Sequence, residues 1–284
     1  MTFRILILGA LFATAVWLQA CDARAAASDW VTTDFSQLRL ISADDFVAGR
    51  RSLIFGVQIR LEAGWKTYWR NPGDAGISTV FDWSASQNVQ KVSLAWPAPK
   101  RISFEDLDSF GYEEEVIFPA RIQLDDPSSP VRIDVEVAYA VCKEICFLLD
   151  AHVSLVLPAL GSGQETATKA HRNLIQRFEN RVPTRNNSQL DIIEVRVTGG
   201  TGKRVLNLFV GAQESFDYPD VFVEGPTDVI FERPRVALTQ DRQRAYIDIP
   251  IDEGRDVTYG FETLIITLVD GDRSHEREVI PQRN

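Results

Sequence analysis

The sequence predicts an all-β protein: two antiparallel sandwiches in tandem, joined by a short helical linker. Three observations carry that expectation. Segments alternate apolar and polar residues, turn signals recur at short intervals, and one segment with helical spacing interrupts them near the middle. Alternation at period two puts one set of side chains on each face of a strand, so each sheet should bury one face.

The N-terminus comes before any of these strands. "MTFR" carries one positive charge, and "ILILGALFATAVWLQA" is an uncharged apolar run of 16 residues. "CDARAAAS" follows, small and rich in alanine. Basic start, apolar middle and small-residue site form the pattern of a secretory signal. The run is short for an anchor, which needs ~20 apolar residues. Cleavage after Ala25 or Ala27 is expected and removes Cys21. The alternative is lipidation at Cys21, since "LQAC" loosely resembles a lipoprotein signal, but Gln19 suits that site poorly. No later stretch is apolar and long enough to span a bilayer, so the mature chain is expected to be exported without a membrane span.

The strands follow in order. "RSLIFGVQIRLEAG" alternates from Leu53 to Leu61, and "VRIDVEVAYAV" sets Val131, Ile133, Val135, Val137 and Tyr139 on one face. "AHVSLVLP" does the same with Val153, Leu155 and Leu157. "NPGDAG" (71–76) and "DDPSSP" (125–130) read as turns, because Pro, Gly and Asp supply the backbone angles that turns need. In "GQETATKAHRNLIQRFENRVP" (163–183), Ala170, Leu174, Ile175 and Phe178 fall at helical spacing and Pro183 marks the far end. The segments "DIIEVRV", "RVLNLFV", "DVFVEG", "RAYIDIPI" and "LIITLVD" read as strands again, with turn signals every 8 to 14 residues. That spacing suggests a sandwich of immunoglobulin-like type. The expected organisation is a signal segment (1–27), a first sandwich (28–160), a linker with one amphipathic helix (161–187) and a second sandwich (188–284).

A net charge of −10 argues against nucleic acid and anionic membrane as partners, since both require basic patches. No Ser-His-Asp set, zinc-hydrolase helix motif or phosphate loop is evident, and no cofactor or resident metal is expected.

The stretch "YAVCKEICFLLD" holds Cys142 and Cys146, the two cysteines left after signal removal. On one straight strand, residues i and i+4 lie ~13 Å apart, whereas a disulfide needs Cα atoms within ~4.4–6.8 Å. A hairpin resolves the conflict; a single helical turn would also bring the cysteines close, but the flanking strand patterns disfavour it. With Lys143, Glu144 and Ile145 as the hairpin loop, the two cysteines would face each other across its base. Three readings remain open. A structural staple has a weak motive, because the stabilisation from closing so small a loop is slight. A Cu(I) clamp would lack further ligands, with His152 the only nearby histidine and no methionine besides Met1. A redox pair is the third. No helix N-terminus meets either sulfur and Lys143 is offset by Glu144, so a strongly lowered thiol pKa is not expected. Such a pair would accept electrons from one protein and pass them to another by exchange.

Four motifs in order, "GWKTYWRNPGDAG", "WPAP", "FGYEEEVIFP" and "VCKEIC", resemble the N-terminal periplasmic domain of DsbD-type thiol:disulfide reductases, and are most similar to the version in the copper-sensitivity suppressor ScsB. The resemblance covers roughly residues 35 to 160, and extends less distinctly into the second half. It implies an immunoglobulin-like first domain in the periplasm and a redox role linked to copper tolerance. Cys142 and Cys146 would accept electrons from a thioredoxin-like or membrane donor protein and deliver them to oxidised exported proteins. The second cysteine, Cys146, would form the mixed disulfide. A cap loop would cover the pair, with Phe110 in "DSFGYEEE" the expected shield and Tyr112 the second candidate. The family's membrane and terminal thioredoxin-like domains have no counterpart here, so a free-standing shuttle supplied by separate proteins is expected.

Trp65, Tyr68 and Trp69 are core aromatics or a docking platform beside the cysteines. The run Glu113, Glu114 and Glu115 reads as a solvated face, one that beside a cap would tune partner choice. His152 and His171 read as surface or hairpin residues.

Overall fold

The computed structural model describes residues 26–105, 107–159, 169–186, 189–200, 203–226, 229–252 and 263–283. Most of the expected signal segment, including Cys21, and the start of the expected linker lie outside these residues.

The first half of the chain supplies β1 (Val31–Thr32), β2 (Ser36–Ser42), β3 (Ser52–Leu61), β4 (Lys66–Gly73), β5 (Val80–Asp82), β6 (Lys91–Leu94), β7 (Lys100–Phe104), β8 (Leu107–Glu113), β9 (Glu115–Gln123), β10 (Val131–Cys142) and β11 (Cys146–Leu157). The helix α1 (Lys169–Glu179) follows. The second half supplies β12 (Leu190–Thr198), β13 (Arg204–Ala212), β14 (Asp220–Glu224), β15 (Ile230–Phe231), β16 (Arg235–Leu238), β17 (Arg244–Asp252), β18 (Leu264–Asp270), β19 (Arg273–Val279) and β20 (Gln282–Arg283). These form two tandem β-sandwiches of immunoglobulin-like kind.

In the first sandwich, a sheet of order β1-β2-β3-β9-β6 faces a sheet of order β11-β10-β4-β8-β7, with β5 paired to β10. In the second, β15-β17-β13-β12-β20, with β16 on β17, faces β14-β18-β19. The alternation seen in the sequence sets the first core. Val131, Ile133, Val135, Val137 and Tyr139 of β10 are each at most 2% exposed. Each burial is worth about 1.5–3 kcal/mol for an aliphatic side chain, so a one-residue slip of β10 would forfeit the whole row. The Tyr139 hydroxyl meets Ser36 Oγ at 2.9 Å and satisfies its polar end inside the core. Val153 and Leu157 are buried as expected, while Leu155 is only partly so.

One strand departs from simple alternation. Both faces of β3 are buried, because α1 lies on the outer face of its sheet with Ile175 and Phe178 inward and Leu174 partly buried. Gly56 allows this approach. A Cβ there would sit 2.6 Å from Ile117 Cγ2 and 3.2 Å from Ile175 Cγ1. The helical stripe expected from Leu174, Ile175 and Phe178 is therefore a cover for the first sandwich.

The two sandwiches share a wall. Phe222 of β14 is 1% exposed and enters the core of the first sandwich. Its ring lies edge-on to Phe110 at 4.9 Å and to Trp69 at 5.9 Å. The Arg101 guanidinium sits over both phenyl rings, 4.8 Å from Phe110 and 5.2 Å from Phe222. Ion pairs ring this plug. Arg70 binds Glu224 at 2.6 Å and Glu276 at 2.5 Å, and Arg101 binds Asp220 and Asp108, each at 3.0 Å. Arg233 reaches Asp108 at 2.5 Å, and Asn71 Nδ2 donates to the Val223 carbonyl at 3.1 Å. Burial pushes the Asp108 carboxyl up, but hydrogen bonds from Arg233, Ser103 and Arg101 outweigh it and hold the pKa at about 2.

Candidate functional site

The hairpin of β10 and β11 runs in unbroken register from Val131 opposite Leu157 to Cys142 opposite Cys146. Lys143, Glu144 and Ile145 close it, with the Lys143 amide donating to the Ile145 carbonyl at 3.3 Å. The two cysteines face each other across the base of this loop with Cα atoms 4.1 Å apart, and their sulfurs are bonded. The strand pairing brings them together, so the bridge adds little constraint to a hairpin already held by backbone hydrogen bonds.

The pair is asymmetric. Cys142 is 1% exposed, in a small cluster with Tyr68 and Ala140, whereas Cys146 is exposed at the mouth of the hairpin. The Tyr68 hydroxyl lies 3.6 Å from Cys146 Sγ. Burial raises the tyrosine pKa, so the group is a neutral hydroxyl at physiological pH. Gly76 packs flat against the Tyr68 ring, where a Cβ would come within 2.6 Å of Cδ1 and 2.7 Å of Pro72 Cβ. Pro72 near the end of β4 and Gly76 just beyond it thus hold Tyr68 in place behind the sulfurs. Lys66 pairs across the sheet with both Cys142 and Glu113. Burial lowers its pKa, with Glu113 opposing, and its ammonium reaches Ser109 Oγ at 3.3 Å.

Strand register decides which face each expected site residue occupies. Tyr68 pairs with Gly111 and Thr67 with Tyr112. Tyr68, Gly111 and the disulfide therefore share the outer face, while Trp69, Phe110 and Tyr112 point into the core. The expectation that Phe110 shields the cysteines is corrected by this geometry: its ring packs on Phe222, on the opposite side of the sheet. Tyr112 is likewise buried, with its hydroxyl donating to the Pro97 carbonyl at 2.8 Å. Trp69 is fully buried, so it presents no docking surface on this face.

Trp65 does lie beside the hairpin mouth. It stacks on Phe35 at 4.3 Å, and Phe35 stacks on Phe147 at 4.5 Å. Ile145 and Leu148 are 68% and 71% exposed around Cys146. Sequence reasoning missed this apolar rim, although "CFLL" breaks the alternation directly after Cys146 and was its visible signal. Of the acidic run, Glu113 and Glu114 are exposed, but Glu115 binds Arg60 at 2.9 Å and accepts from Gln58 at 2.6 Å. His152 bonds Asp134, and His171 is buried against the first sandwich. Among the described residues no group of three or more His, Cys, Asp or Glu could hold a metal ion.

A bonded pair with one sulfur open and the other buried can undergo exchange. A thiolate that approaches Cys146 would expel the Cys142 sulfur. Comparison with known proteins agrees with that chemistry. Residues 39–158 match the family of the N-terminal domain of the thiol:disulfide interchange protein DsbD. That match takes in most of the first sandwich. It holds β3 through β11 and both cysteines. Residues 181–284 match a domain of unknown function, DUF8393. The crystal structure of the N-terminal periplasmic domain of ScsB from Proteus mirabilis superposes with a TM-score of 0.69 at 20% identity, covering 92% of this chain and 100% of that one. At that identity the likeness is one of fold, and it spans both sandwiches. No curated protein sequence matches the chain. Among the described residues no helix is long and apolar enough to cross a membrane.

Proposed function

We propose that this protein passes reducing equivalents from a thioredoxin-like or membrane donor protein to oxidised exported proteins, through the Cys142–Cys146 pair. One observation carries the reading: in a DsbD-type domain, a bonded cysteine pair sits at the open end of a hairpin with Cys146 exposed and Cys142 buried. A donor thiolate attacks Cys146 Sγ, the bond between the cysteines breaks, and Cys142 leaves as a thiolate that takes up a proton. The donor's second thiolate then attacks its own sulfur in the mixed disulfide. That releases Cys146, which is protonated in turn, and leaves the donor as a disulfide. Two electrons and two protons have moved. The dithiol repeats the sequence in reverse on an oxidised client, with Cys146 attacking first and Cys142 resolving.

The Tyr68 hydroxyl is the donor within reach of the exposed sulfur, and Ile145 and Leu148, exposed beside Cys146, form the surface on which partners dock. The reading includes export by the N-terminal signal, residence in the periplasm and, through the resemblance to the copper-sensitivity suppressor, a part in copper tolerance.

The test is reduction by a protein donor. Excess reduced thioredoxin-like protein should open the pair, making both cysteines alkylatable, with one donor disulfide formed per molecule. A bridge that stays closed under those conditions sinks the proposal.

A further inference from the structure

Further along the outer face of the β10 sheet, away from the disulfide, lies a groove. Beyond Tyr68 and Leu148 the floor is Ala138, which pairs with Asp150 on one side and Val80 on the other. On the next rung Glu136 pairs with His152 and Asp82. The cavity there measures about 370 Å³ and is lined by these side chains. Val80 is 60% exposed, although a valine on a strand would ordinarily be covered.

Charge distinguishes this groove. Arg132 and His152 both turn to Asp134 rather than to the groove's other carboxylates. Asp82, Glu136 and Asp150 form no ion pair among the described residues, although the ion pairs of the wall between the sandwiches show this chain pairing its carboxylates readily. Three uncompensated carboxylates around an alanine floor, on the same sheet face as the reactive sulfurs, fit an extended cationic segment.

Resting on the exchange reading above, we infer that this groove binds the extended segment flanking the reacting cysteine of an oxidised client, and that it selects clients with lysine or arginine in that segment. The rung spacing fixes where those cations stand. Residues on one face of a strand repeat every ~6.8 Å, so the Asp150 rung lies ~13 Å and the Glu136 rung ~20 Å from the disulfide. An extended client chain covers those spans in about four and about six residues. Clients with basic residues at those positions are drawn in, and acidic ones are repelled.

The probes are synthetic peptides with a single cysteine in mixed disulfide with 5-thio-2-nitrobenzoate. One carries lysine at the fourth and sixth positions on either side of the cysteine, the other glutamate. The reduced protein attacks the peptide sulfur through Cys146 and displaces the coloured thiolate. Cys142 then displaces the peptide thiol, and the internal disulfide re-forms. Hydroxyethyl disulfide, small and uncharged, serves as the control substrate. At low ionic strength the lysine peptide should react about tenfold faster than the glutamate peptide. In the variant D82N/E136Q/D150N the two rates should converge while the hydroxyethyl disulfide rate stays at the wild-type value. Equal peptide rates in the wild type, or a preference that survives the triple substitution, would overturn the groove. If neither the peptides nor hydroxyethyl disulfide oxidises the dithiol, the exchange reading itself fails and the groove proposal falls with it.

Discussion

Cys142→Ser should trap an exchange partner in a stable mixed disulfide on Cys146, and Cys146→Ser should not. The asymmetry follows from exposure. Cys146 opens to solvent at the hairpin mouth, whereas Cys142 is 1% exposed beneath Tyr68 and against Ala140. Removing Cys142 leaves the accessible thiol and deletes the group that would resolve the adduct. Removing Cys146 leaves a thiol that is buried, so a protein partner cannot approach it in line. With a thioredoxin-like partner lacking its own resolving cysteine, adduct on C142S should exceed that on C146S by about tenfold or more. Mass spectrometry after acid quench reads the ratio. Equal trapping would show that burial of Cys142 does not govern the direction of attack. A reversed ratio would make Cys142 the sulfur that partners meet.

The second large effect is structural. Phe222→Ala should destabilise the protein by about 3–5 kcal/mol, the usual range for removing a buried phenyl ring. The reason lies in whose core the ring fills. Phe222 comes from β14 of the second sandwich, yet it packs on Trp69 and Phe110 of the first and under the Arg101 guanidinium. Its loss opens a void at the junction and exposes the ion pairs around it to water, where each is worth little. Denaturant titration measures the change. A cost below about 1 kcal/mol, typical of a surface position, would contradict the shared core. Acid should loosen the same junction. The folded pKa of Asp108 is about 2, depressed from its ordinary value of 3.8. Its stabilisation is present above that unfolded value and is lost as pH falls towards the folded one. Asp108→Asn should therefore flatten the fall in melting temperature across that window.

Much of this arrangement was legible in the sequence because strand parity is a local property. The row from Val131 to Tyr139 had to share a face, and a strand on each side of a three-residue loop had to bring Cys142 opposite Cys146. The stripe of Leu174, Ile175 and Phe178 marked α1 for the same kind of reason. Parity alone also says that neighbours Tyr68 and Trp69 point to opposite faces, so they could never have formed one platform. Which of the two faces the disulfide was beyond parity, because it depends on the pairing of Tyr68 with Gly111 and of Lys66 with Cys142. Those contacts join segments distant in the chain. Phe110 was misplaced for the same reason. Its partner, Phe222, lies in the other sandwich, and nothing local to "DSFGYEEE" announces it. The exposure of Ile145 and Leu148 was visible only as a lapse in alternation, a signal that gains meaning once the hairpin is known to end in open solvent.

The reduction potential of Cys142–Cys146 tests the central claim most directly. Equilibration with graded glutathione or thioredoxin-type redox buffers, read by thiol alkylation, gives the midpoint. A pair built for exchange should titrate between about −180 and −270 mV, the range spanned by disulfide isomerases and thioredoxins. A midpoint below about −300 mV, where structural bridges lie, would mean that the hairpin holds its sulfurs shut, and it would contradict a role in passing electrons.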